Sequence, residues 1–140
     1  MSPAEEIARY LAGQGIGTLA GGSSWGVYFS RMPDAPDDCV CVFDSGGGPP
    51  IAYDITLREP AVQVRIRGTV HADVHTKADE IFDLLCEPGD IPGPAREIEN
   101  GLYLGFWMDS DFIDLGRDEN ERIRLTSNYR INRQPLEGSS

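Results

Sequence analysis

Apolar and polar residues alternate most regularly over residues 61–68, where Val62, Val64 and Ile66 interleave with Gln63, Arg65 and Arg67. A period of two is that of a half-buried strand, one set of side chains facing a core and the other facing away. The same pattern predicts a strand over residues 25–31, with Trp25, Val27 and Phe29 on one side. It predicts another over residues 123–131, with Ile123, Leu125, Tyr129 and Ile131 inward and Arg124, Thr126, Asn128 and Arg130 outward. Residues 39–44 form a nearly unbroken apolar run of strand length, which suits a central strand buried on both faces. Weaker extended stretches lie at 51–57, 102–108 and 112–115.

Two segments carry helical spacing instead. Near the amino terminus Ser2 is placed to cap, Pro3 occupies the tolerated first position, and Glu5 stands where a capping box needs an acid. Ile7 and Leu11 then share a face until Gly13, Gly15 and Gly17 end the run. The second helix is predicted over 76–86, where Ala78, Ile81, Phe82 and Leu85 recur at helical spacing and Pro88-Gly89 forbids continuation. Prolines and glycines predict loops at 32–38, 45–50 and 87–101.

Strands and helices do not alternate regularly, which argues against a parallel doubly wound sheet. The expectation is an α+β fold: a mostly antiparallel or mixed β-sheet flanked on one face by two α-helices, forming a single domain over residues 1–131. A flexible tail is expected at 132–140. The predicted core comprises Ile7, Leu11, Val27, Phe29, Val40, Val42, Val64, Ile66, Ile81, Phe82, Leu85, Leu125 and Tyr129.

Charge narrows the function classes. The chain has 140 residues and a formal net charge of −11, which opposes wrapping around nucleic-acid phosphates. No run approaches the ~18 consecutive apolar residues of a membrane span, and MSPAEEIARY lacks the basic-then-apolar layout of a signal peptide. The expectation is a protein made in the cytoplasm. Lys77 is the single lysine against eleven arginines, a bias that fits either an interface-rich surface or a GC-rich genome.

Candidate chemistry is sparse. His71, Asp73 and His75 are the best metal-like trio, but they lie where a strand runs into a helix, and Asp73 or His75 as a helix cap is the stronger reading. Cys39 and Cys41 share a strand face, but a structural zinc needs four ligands and the third cysteine, Cys86, ends a helix. An odd cysteine number without export signals does not indicate a disulfide framework. The SGGGPP segment lacks the Gly-Lys-Ser/Thr ending of a phosphate loop, and Pro49 and Pro50 remove two amide donors. Ser23 and Ser24 have no histidine nearby in sequence. Asp109, Asp111, Asp114, Asp118, Glu119 and Glu121, broken by Arg117, lack the ligand spacing of a calcium loop. The expectation is therefore no enzyme, no metal and no cofactor.

Three segments in order carry a resemblance: MPDAPDDCVCVFDSGGGPP (32–50), PAVQVRIRG (60–68) and KADEIFDLL (77–85). Together they are similar to the tail-terminator (minor capsid) proteins of long-tailed bacteriophages, over roughly residues 25–85. What the resemblance implies is a structural role in the virion, the alternatives being another small head-tail adaptor or head-completion protein, or a non-phage α+β binding module. Members form a ring, usually a hexamer, that caps the completed tail tube and joins it to the head connector. The implied partners are further copies of the chain, the tail-tube protein and the connector protein, with genome DNA passing through a negative lumen that repels its phosphates.

The outward faces of the two best strands are the candidate contact surface. Gln63, Arg65 and Arg67 project from one strand and Arg124, Asn128 and Arg130 from the other, giving arginine-rich faces in an acidic protein. They serve either as an interface with the next subunit or the tail tube, or as local partners of acids such as Asp54 and Glu59.

Overall fold

The computed structural model describes residues 2–20, 25–47, 60–86 and 95–135. In chain order these form α1 (Pro3–Gly13), β1 (Thr18–Leu19), β2 (Gly26–Phe29), β3 (Cys39–Gly47), β4 (Pro60–Gly68), α2 (His71–Cys86), β5 (Arg96–Ile98), β6 (Gly101–Arg117) and β7 (Ile123–Pro135). The expected α+β class is the observed one. Among the described residues the strands make one mixed sheet in the order β1-β2-β3-β4-β7-β6-β5. β1, β2 and β3 run parallel, and the remaining pairings are antiparallel.

Register converts the alternation into a core. Val27 pairs with Val40, Val40 with Ile66, and Ile66 with Leu125, while Val62 pairs with Tyr129, so these residues share one sheet face. They join Ile7, Leu11, Val74, Ile81 and Leu85 of the two helices in a single apolar cluster. Both helices therefore cover the same face. Every predicted core residue is buried except Phe29 and Phe82, which are partly buried against the cluster.

α1 begins as its sequence requires: the Ser2 side chain accepts from Glu5 N at 3.2 Å, and the helix ends before Gly15, whose φ of +89° suits glycine. Its stripe Ala4, Ile7, Ala8 and Leu11 is fully buried. Glu6, on its other side, is buried too, because the β5 and β6 end of the sheet reaches it there. Glu6 accepts from Tyr103 Oη (2.7 Å), Asn100 N (2.9 Å), Arg133 Nε (2.7 Å) and Arg133 Nη2 (3.0 Å).

Several boundaries differ from expectation. α2 starts at His71 rather than at residue 76, so His71, Asp73 and His75 lie inside its first turns instead of capping it. Ser45, Gly46 and Gly47 continue β3, where a loop was expected, because they run on opposite β4 as far as the Gly47–Pro60 pairing. The two expected pieces at 102–108 and 112–115 are one strand, β6, which absorbs register shifts through bulges along its pairing with β7. β7 continues through Asn132 to Pro135, so the first residues of the expected tail are strand. β5 occupies part of the expected 87–101 loop. The extended stretch at 51–57, with Asp54, lies outside the described residues, as do Glu59, Ser23, Ser24 and residues 136–140.

Candidate assembly surface

The sheet face opposite the helices is built from the alternate residues of the same strands. Gln63 pairs with Asn128, Arg65 with Thr126 and Arg67 with Arg124, while Arg130 stands across from Ala61 and Trp107. The fold thus brings all six predicted contact residues onto one face of two adjacent strands. Among the described residues no helix covers it.

Their fates divide. Arg67 is buried: its Nη2 donates to the carbonyls of Pro33 (2.6 Å) and Pro36 (2.9 Å), and its Nε to that of Asp37 (3.3 Å). The loop after β2 must travel back along the sheet to start β3 parallel to it, and Arg67 pins that return by satisfying its carbonyls. Arg122 adds a second pin, bonding Asp34 and Asp37 of the loop and Asp118 of the β6–β7 turn. Arg67 is thereby withdrawn from the exposed set. Its cross-strand neighbour Arg124 turns instead to the carbonyls of Leu115 (3.1 Å) and Gly116 (3.4 Å).

Arg65 and Arg130 remain exposed. Arg65 lies 5.4 Å from the Phe43 ring centroid and donates to Gln63 Oε1 at 2.9 Å, while Arg130 lies 5.9 Å from the Trp107 ring. Stacking of this kind holds a guanidinium flat and extended, with donors still free for a partner. Phe43 and Trp107 belong to the surface although alternation in the arginine strands gave no hint of them.

A groove of about 510 Å³ opens between α2 and β6, lined chiefly by Asp79, Phe82, Trp107, Met108, Asp111 and Phe112. Trp107 stands where this groove and the open sheet face meet. β6 also carries Leu104, Ile113 and Leu115, three of the four large apolar residues exposed among the described residues.

The metal-like candidates do not converge. His71 and His75 lie one helical turn apart with ring centroids at 4.3 Å and planes tilted by 39°, and Asp73 points to another side of α2. Cys39 and Cys41 face away from the helix layer that contains Cys86, and all three are free and buried. Burial pushes the Cys41 thiol up to about 12, with the neighbouring Cys39 adding to the effect. Among the described residues no group of three His, Cys, Asp or Glu side chains could hold a metal ion. The acidic β6–β7 turn is organised by hydrogen bonds: desolvation works to raise the Asp118 pKa, but donors from Arg122 and Asn120 outweigh it and hold the carboxyl below its usual range.

Comparison with solved structures finds a chain of the "Virion of native gene transfer agent (GTA) particle", at 15% sequence identity and a TM-score of 0.50. The alignment covers 76% of this chain and 78% of that one, a likeness of fold. No curated protein matches the chain significantly. A family model described as bacteriophage tail terminator protein matches residues 10–135, which takes in α2, the last turn of α1 and every strand among the described residues; the chain belongs to the bacteriophage tail terminator family.

Proposed function

We propose that this chain assembles into a ring, a hexamer, that caps the completed tail tube and joins it to the head connector, acting as a structural and not a catalytic component. Membership of the family over residues 10–135 carries the reading. Gln63, Arg65, Arg124, Asn128 and Arg130 form its contact surface, with Phe43 and Trp107 as the aromatic part. Arginine and aromatic residues are enriched at protein interfaces, where partial desolvation strengthens charged hydrogen bonds. A net charge of −11 per copy suits a lumen through which DNA slides without adhering.

The experiment is reconstitution. Tails assembled without this protein should fail to join filled heads, and adding the purified chain should restore joining and place a six-copy ring at the tail end in electron micrographs. Joining that proceeds equally well in its absence would rule this function out.

A further inference from the structure

Two surfaces of the chain carry opposite charge, and among the described residues neither finds its counter-ions internally. On the open sheet face, Arg65, Arg124 and Arg130 meet no carboxylate among the described residues; their partners are Gln63, main-chain carbonyls and the rings of Phe43 and Trp107. Where α2 meets β6, Asp79, Asp83 and Asp111 are exposed, and among the described residues none is in an ion pair. α2 lies on the far side of the sheet from Arg65, so these surfaces of one molecule cannot meet each other.

Asp79 and Asp111 line the groove of about 510 Å³, and Phe82, Met108 and Phe112 supply its apolar part. An apolar floor beneath carboxylates complements arginine, whose stem is apolar and whose head is a planar cation. We infer that the groove between α2 and β6 of one subunit receives the arginine row of the next subunit's open face, an inference that rests on the ring reading above.

Charge also selects the symmetry of the contact. A two-fold pairing of open faces sets arginine against arginine, and a two-fold pairing of grooves sets carboxylate against carboxylate. A head-to-tail contact sets each open face against a groove of opposite sign, and repeated with the right rotation it closes a ring.

Two reversal variants of the full chain test this by native mass spectrometry. Arg65→Asp with Arg130→Asp makes the open face acidic; Asp79→Lys with Asp111→Lys makes the groove basic. Each variant alone should remain folded by circular dichroism and raise the concentration needed for rings by at least about a hundredfold. Mixed in equal amounts, they should form rings of alternating composition, because each open face then finds a groove of opposite sign. If either variant forms rings alone, or the mixture fails while the wild type forms rings, the assigned contact is wrong. A wild type that never forms rings, alone or on tails, overturns the ring reading and this contact together. Should a reversal variant lose its fold, Arg65→Gln with Arg130→Gln and Asp79→Asn with Asp111→Asn replace the pairs. Each must then weaken the ring at least about tenfold, or the contact is wrong.

Discussion

Glu6 illustrates how far a residue's role departs from its place in a local pattern. On α1 it lies away from the buried stripe of Ala4, Ile7, Ala8 and Leu11, where helical spacing alone puts a charged side chain in water. It is fully buried instead, and the guanidinium of Arg133, 127 residues later, is its counter-ion. Removing one partner of such a pair strands a buried charge, so Glu6→Ala should lower unfolding free energy by about 3–5 kcal/mol. Urea denaturation would read this as a lower midpoint at unchanged slope. Adding Arg133→Met should restore much of the loss, since replacing both charges by apolar groups is often neutral. A Glu6→Ala protein as stable as the wild type would mean that the charge network contributes nothing.

At the scale of elements, the junction of β4 and α2 leaves no room for a side chain at Gly68. A Cβ on Gly68 would lie 2.7 Å from Val74 Cγ2, 3.0 Å from Asp38 Oδ1 and 3.3 Å from Trp25 Cη2. Three elements converge there, so α2 can start three residues after β4 only if that position carries no side chain. Gly68→Ala should destabilise by about 1–3 kcal/mol through overpacking, measured by thermal unfolding. Trimming the neighbour in the double variant with Val74→Ala should relieve part of the strain. Unchanged stability in the single variant would refute this account of the junction. α2 itself was legible from Ala78, Ile81, Phe82 and Leu85. Its first turns were not, because His71 and Asp73 carry no apolar mark and only Val74 among the early residues is buried. Likewise β6 read as two pieces because its bulges interrupt the period of two.

For the whole molecule, the separation of charge between the open sheet face and the α2–β6 flank predicts how assembly responds to salt. The Debye length falls from about 8 Å at physiological ionic strength to about 3 Å at 1 M. Rings held by arginine–carboxylate contacts should therefore dissociate progressively as sodium chloride rises towards 1 M, followed by sedimentation velocity. Rings that tighten with salt would point to burial of the apolar groove as the main force.

Alternation at residues 61–68 and 123–131, helical spacing after residue 76 and the three family-like segments were enough to determine the α+β class, most of the core and the family. These are local properties: a period fixes which side chains share a face, and an apolar face must be buried somewhere. Tertiary structure decided what covers the other face. Arg65 and Arg67 are indistinguishable in the pattern, two positions apart on one strand, yet one is exposed and the other is enclosed by a loop some 30 residues earlier in the chain. The strand order, the burial of Glu6 and the meeting of α2 with β6 at the groove were equally beyond local reading. Each depends on contacts between segments far apart in sequence, which no periodicity encodes.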